Sequence, residues 1–269
     1  MDSLRHNDQM KREVWLPAFP ERIVSLVPSQ TEYLCAIGIG GRLVGRTQFC
    51  IHPAEELKKV VRIGGTKKLQ LDKIRALQPD LIIGNKEENE QSQIEALAAD
   101  FPVWMSDIHQ PEDALSMMHD LGSIVNCETK AEALIAEIRG GLASIQEKKA
   151  RFEGIRVLYA IWKSPWMFAG QHTFISSMLE LAGFSNVCPG ERYPELNEDE
   201  FIALKADLIL LSSEPYPFSF GHIRELEAKV RDSRILLVNG EMFSWYGSRM
   251  TEFPAYLDNL FAQIHKKTP

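Results

Sequence analysis

Apolar positions in this chain fall into short runs, separated by longer segments with helical spacing. Arg22-Ile23-Val24-Ser25-Leu26 reads as a strand. A loop with Pro28 follows, then a helix through Thr31-Glu32-Tyr33-Leu34 that ends at Gly38. Arg156-Val157-Leu158-Tyr159-Ala160 repeats the pattern, with a loop through Pro165 and Gly170 and a helix over 174–181 ending at Gly183. Residues 72–83 (DKIRALQPDLII) and 199–210 (DEFIALKADLIL) share six of twelve residues at an offset of 127. Each reads as a helix end, a turn and a strand, and the runs Leu81–Ile83 and Leu208–Leu211 suit strands covered on both faces. Each half alternates strand and helix, which predicts two Rossmann-like α/β lobes with mainly parallel sheets and crossover helices.

Between the halves, Glu128–Phe152 is rich in Ala, Glu, Lys, Ile and Leu, with Ala133, Leu134, Ile138, Leu142 and Ile145 at helical spacing. One helix of ~25 residues, ~37 Å long, would join the lobes. Two helices meeting at Gly140-Gly141 are the alternative. The expected organisation is an N-terminal extension (1–19), an N-terminal lobe (20–126), a connecting helix (127–152) and a C-terminal lobe (153–269).

The net charge of −7 over 269 residues argues against a nucleic-acid binder, which needs concentrated basic surface. No apolar run is long enough to insert in a membrane. Residues 1–16 are too charged for a secretory signal, so a native start at Met1 implies the cytoplasm. Cys35, Cys50, Cys127 and Cys188 lack metal-site spacing and read as free thiols, with a Cys35–Cys50 disulfide left open by spacing.

Ligands of parallel α/β sheets sit beyond the carboxyl ends of the strands. The loops expected there include 27–30, 47–53, 64–68, 84–89, 162–168, 191–194, 212–216 and 239–249. They carry Trp162, Trp166, Trp245, Tyr193, Tyr216 and Tyr246, which suits a large, flat, partly apolar ligand. Dinucleotide, Walker and hydrolase motifs are missing, and no two of the seven histidines are three or four residues apart. No catalytic residue, cofactor or metal site is expected. Glu87-Glu88-Asn89-Glu90 and Glu198-Asp199-Glu200 open helices, where acidic groups suit the helix dipole or could engage a partner's arginines.

RIVSLVPSQTEYLCAIG (22–38), LVGRTQFCIHP (43–53), KIRALQPDLII (73–83), FIALKADLIL (201–210) and VNGEMFSWYGSRM (238–250) carry a resemblance. The chain resembles the ABC-importer substrate-binding proteins for vitamin B12, ferric siderophores and haem, nearest to the vitamin B12 binders. The resemblance implies two α/β lobes joined by one long helix, and a monomer that binds its ligand between the lobes without chemistry. It implies a periplasmic or extracytoplasmic location and delivery to a permease with its ATPase. By motif position, Ser29, Gln30, Phe49, Thr66, Lys67 and Asn85 would face the ligand from the N-terminal lobe. Trp166, Met167, Tyr193, Glu241, Phe243, Trp245 and Arg249 would do so from the C-terminal part. Thr66 and Asn85 stand where the family carries tryptophans, which makes the cleft more polar. Beside cobalamin this admits another corrinoid, a siderophore, or haem held by Tyr193, Tyr246 or His52. Glu90 and Asp199, or neighbouring Glu198, would dock on the permease.

The first functional reading is therefore a receptor for a corrinoid or other metal-chelate. The alternative is a cytoplasmic enzyme or chaperone that handles a tetrapyrrole or chelate in the same cleft. A plain divalent-metal carrier is disfavoured by the scattered histidines.

Overall fold

A computed structural model describes residues 4–16 and 19–266. Of the expected N-terminal extension, residues 1–3 and 17–18 lie outside the described residues, as do 267–269 of the C-terminal lobe. The chain forms two compact units. One holds the residues up to Ile108 with Glu112–Glu137 and Tyr246–Arg249. The other holds His109–Pro111, Ile138–Trp245 and the chain from Met250.

The first unit opens with an antiparallel hairpin of β1 (Leu4–Asn7) and β2 (Glu13–Leu16), which the sequence reading did not anticipate. Then come β3 (Ile23–Ser25), α1 (Pro28–Ala36), β4 (Leu43–Arg46), β5 (Val61–Arg62), α2 (Leu71–Ala76), β6 (Leu81–Asn85), α3 (Gln91–Ala98), β7 (Val103–Ser106) and α4 (Pro111–Ile124). The five later strands form a parallel sheet in the order β5-β4-β3-β6-β7. β3, β6 and β7 are buried at every position, in keeping with the apolar runs that open them, and each ends in a buried polar residue, Ser25, Asn85 or Ser106. The hairpin is laced to the edge strand β7. Buried Asp8 accepts from Arg12 N (2.8 Å), Arg12 Nε (2.7 Å) and Met105 N (3.3 Å), and Trp104 Nε1 donates to Asn7 O. Covering that edge keeps its backbone groups from pairing with another chain.

The helix α5 (Glu128–Lys148) runs unbroken through Gly140-Gly141 and ends in a 3-10 turn at Lys149–Arg151. It starts in the first unit and passes to the second at Ile138. Its buried stripe is Ala131, Ile135, Ile138, Leu142 and Ile145. Ile138, Leu142 and Ile145 lie on it as the spacing predicts, whereas Ala133 is exposed and Leu134 only partly buried, because the 3.6-residue period carries the stripe back from Ile138 to Ile135 and Ala131.

The second unit contains β8 (Arg156–Trp162), β9 (Met167–Phe168), α6 (Phe174–Ala182), β10 (Ser185–Asn186), α7 (Glu198–Ala203), β11 (Leu208–Ser212), α8 (Phe220–Glu227), β12 (Arg234–Val238), α9 (Glu241–Ser244) and α10 (Phe253–His265). Its sheet runs β10-β8-β11-β12 in parallel, with β9 antiparallel on β8. Residues 162–168, expected as one loop, are thus the close of a hairpin.

The repeated sequence is a repeated structure. In each unit a six-residue helix (α2, α7) ends at a left-handed residue, Gln78 (φ 44°) or Lys205 (φ 49°), before the central strand β6 or β11. The arginine that opens the first strand then closes that turn. Arg22 donates to Leu77 O and Gln78 O while Asp80 accepts from Arg22 N. Arg156 donates to Leu204 O while Asp207 accepts from Arg156 N. These contacts satisfy helix-end carbonyls that would otherwise lack a partner. All four cysteines are free, so the Cys35–Cys50 bridge is not formed.

The two glycines of α5 should respond differently to alanine. A Cβ at Gly140 meets nothing within 4 Å, whereas one at Gly141 lies 3.0 Å from Pro254 Cγ. Gly140→Ala should raise unfolding stability by up to ~1 kcal/mol, the helix-propensity gain. Gly141→Ala should gain less, and urea unfolding of both variants measures the difference.

Candidate functional site

Strand order locates the place to look. The sequence of connections reverses between β3 and β6 in the first unit and between β8 and β11 in the second. Such switch points leave a crevice at the carboxyl ends of the strands.

In the first unit, Pro28, Ser29 and Gln30 form the first turn of α1, not a loop. Proline at the helix start costs no hydrogen bond there. Gln30 is fully buried, and its Nε2 donates to Gly84 O (3.1 Å) and Ser106 Oγ (2.7 Å). Asn85 ends β6. Its Nδ2 donates to Ser106 Oγ (2.9 Å), and its Oδ1 accepts from Glu87 N and Glu88 N. Asn89 returns to accept from Asn85 N (2.8 Å) and donates to Thr66 O (3.1 Å). Lys67 Nζ donates to Glu87 O, and Gln93 ties both Lys67 O and Leu69 N. Loops 64–70 and 85–93 therefore form one prebuilt frame. Thr66 and Asn85 are part of it, with 9% and 2% exposure. Gly84 is required, since a Cβ would lie 2.7 Å from Asn89 Oδ1.

The loop after β4 alternates. Phe49 and Ile51 are half exposed, whereas Cys50 points inward to Thr31 Oγ1 and Thr47 Oγ1, both at 3.1 Å. Burial pushes the Cys50 thiol up, and the threonine contacts offset it in part. The thiol is therefore neutral, a packing group rather than a nucleophile. Phe49 lies against Gly65, where a Cβ would be 3.2 Å from its ring.

Tyr246–Arg249 belong to this first unit. Arg249 is bidentate on Glu32 of α1, Nε to Oε2 at 3.1 Å and NH2 to Oε1 at 2.5 Å. Arg249 is thus a clamp on α1. Tyr246 is buried, with Ser106 and Asn85 facing its hydroxyl, and burial pushes its phenol up.

In the second unit, Trp162 at the end of β8 is 39% exposed and meets Tyr216 edge-on at 5.4 Å. Lys163 pairs with Glu225 and lies over the Trp166 ring. Glu214 Oε1 accepts from Ser244 Oγ (2.7 Å) and Trp245 Nε1 (2.9 Å), which fixes the loop after β12.

Two expected ligand contacts are corrected here. Trp166 belongs to the apolar core, stacked on Phe218 and packed on Phe201. Phe243 is fully buried among Tyr159, Phe253 and Tyr256. Neither ring face is open to a ligand, because adjacent core aromatics already occupy it. Trp245 is also mostly buried. Met167 lies on β9, Tyr193 carries Arg192 over its ring, and Glu241 opens α9. Trp162 and Tyr216 are the switch-point aromatics that site assignment by motif position left out. Their signal was their place directly after the strands.

A family model described as periplasmic binding protein matches residues 23–237. The chain belongs to this family. Among curated relatives, the vitamin B12-binding protein of Yersinia pestis is 26% identical over 195 residues, 71% of this chain and 69% of the relative. The periplasmic vitamin B12 binding protein of Vibrio cholerae shares the fold, with TM-score 0.79, 20% identity, 93% of this chain and all of that one covered. A periplasmic heme-binding protein of Pseudomonas aeruginosa does so too, with TM-score 0.78, 23% identity, and 93% and 95% covered. Periplasmic binding proteins are non-catalytic transport proteins. This chain is accordingly the extracytoplasmic substrate-binding component of an ABC importer.

Three acidic residues expected to dock on a permease lie at helix starts of the periplasmic-binding-protein fold. Glu90 is the exposed N-cap of α3. Glu198 and exposed Asp199 open α7, and Glu198 is held by Lys229 at 2.7 Å. Among the described residues, no group of three His, Cys, Asp or Glu could hold a metal.

Glu32→Gln tests the clamp on α1. It removes the carboxylate charge that faces the largely buried Arg249 and should cost about 3 kcal/mol, the lower end for a buried pair losing one partner. Urea unfolding measures it, and a loss under 1 kcal/mol would make the pair a surface contact.

Proposed function

We propose that the protein binds a corrinoid, cobalamin or a close relative, for delivery to its permease. The observation that carries this reading is the half-exposed Phe49–Ile51 pair at the carboxyl end of β4. Large apolar groups beside a prebuilt polar frame suit a broad ring ligand with polar edges. Trp162 offers a comparable face at the switch point of the second unit. The curated relatives named as vitamin B12-binding proteins support the corrin over other chelates. Haem is the competing ligand, since heme-binding proteins share the fold.

Tryptophan-fluorescence titrations with cyanocobalamin, hemin and a ferric siderophore test the proposal. Saturable quenching by cyanocobalamin is expected. Saturation by hemin or the siderophore alone would replace the ligand. Phe49→Ala and Trp162→Ala should each weaken binding by ~1–3 kcal/mol, as loss of an aromatic anchor does. Unchanged affinity in both would remove the stacking surfaces.

Glu90 and Asp199, with Glu198, are proposed as carboxylates for permease arginines. Exposed charges of this kind set orientation and on-rate. Glu90→Ala and Asp199→Ala should leave cyanocobalamin affinity intact and reduce uptake in cells. A large loss of affinity in the isolated protein would put them at the ligand instead.

A further inference from the structure

Gln30 carries an unusual orphan. Its side chain is fully buried, and Oε1 has no hydrogen-bond partner among the described residues. The amide cannot be turned to repair this, because Nε2 already donates to Gly84 O and Ser106 Oγ. Turning it would set two acceptors against each other at Gly84. The neighbouring polar groups are turned to one another: the Tyr246 hydroxyl faces Ser106 and Asn85. Asn85 Nδ2 is committed to Ser106 Oγ, which receives two donors and gives its own proton to Gly84 O at 3.3 Å. A buried acceptor left unpaired is destabilising, so its retention at a switch point calls for a partner in another state.

The same turn of α1 is overlaid by Tyr246–Arg249. Arg249 clamps Glu32, and a Cβ on Gly247 would lie 3.4 Å from Tyr33 Cβ and 3.7 Å from Ser29 O. Gly247 has φ 87°, a conformation that favours glycine and lets the segment lie this close.

We propose that Gln30 Oε1 accepts a hydrogen bond from an N–H or O–H donor on the ligand rim, a primary amide or a hydroxyl, and that Tyr246–Arg249 is the cover which that group displaces. The proposal deepens the corrinoid reading and rests on it. A corrin bears peripheral amides that supply such donors. The ionised propionates of haem bring only acceptors, which Gln30 Oε1 would repel.

The test changes the ligand instead of the protein. Wild-type protein is titrated with cobinamide, which has amide donors, with cobyrinic acid heptamethyl ester, which has none, and with hemin. Cobinamide should bind at least tenfold more tightly than the ester, and Gln30→Met should equalise the two. Glu32→Gln, which loosens the cover, should speed cobinamide association several-fold. Equal affinity for amide and ester in the wild type overturns the Gln30 proposal and leaves the corrinoid receptor standing. Binding of hemin alone overturns the proposal and replaces the ligand. Silence toward all three overturns the chelate reading, and this proposal with it. An unchanged association rate in Glu32→Gln overturns the cover.

Discussion

A parallel strand that stops inside a protein leaves its last backbone groups unpaired, and a buried peptide group must find a partner. That constraint governs the carboxyl ends of both sheets in this molecule. In the first unit it is met by short amide and hydroxyl side chains. Asn85 caps its own following loop, Asn89 caps Asn85, and Gln30 with Ser106 takes up Gly84 O. In the second unit Ser212 bonds Glu214 O, and Ser213 Oγ accepts from Gly240 N. The ends of the sheets are thus rigid polar frames, and the groups left open around them are largely apolar.

This division separates the residues that hold the scaffold from those free to vary at its surface. The frame residues are committed to one another, so replacing one disturbs several hydrogen bonds. Phe49, Ile51 and Trp162 keep roughly two-fifths to half of their surface exposed. They can change with little cost to folding, and in the proposed corrinoid reading theirs are the faces that meet the ligand. Thr66 and Asn85 illustrate the difference. As departures from an aromatic pattern they suggest a polar ligand surface, yet their burial shows that much of that polarity serves the loops themselves.

The duplicated clasp shows the same economy at the opposite end of the strands. Arg22 with Asp80 and Arg156 with Asp207 perform one task in two units. Each joins the start of the first strand to the turn before the central strand. A helix of six residues is too short to be stable by propensity alone. Tertiary capping by a distant arginine supplies what its length does not. Both units therefore place their central strands by long-range polar contacts as well as by apolar burial.

The pattern of residues by itself determined the two α/β halves, the repeat and the connecting helix. Each rests on local periodicity: runs such as Leu208–Leu211 suit only buried strands, and the stretch from Glu128 lacks proline. The periodicity also marked most loops at the strand ends. It could not say which way a loop side chain turns. Trp166 and Phe243 lie in the segments just after strands and Trp162 at a strand's end, but tertiary packing turned the first two into the core and left the third exposed. It could not show the β1–β2 hairpin either, whose stability comes from Asp8 reaching Met105 across almost a hundred residues. Nor could it reveal that Arg249 answers Glu32 from 217 positions away. Those outcomes depend on contacts between distant segments, which only the folded chain brings within hydrogen-bonding and packing range.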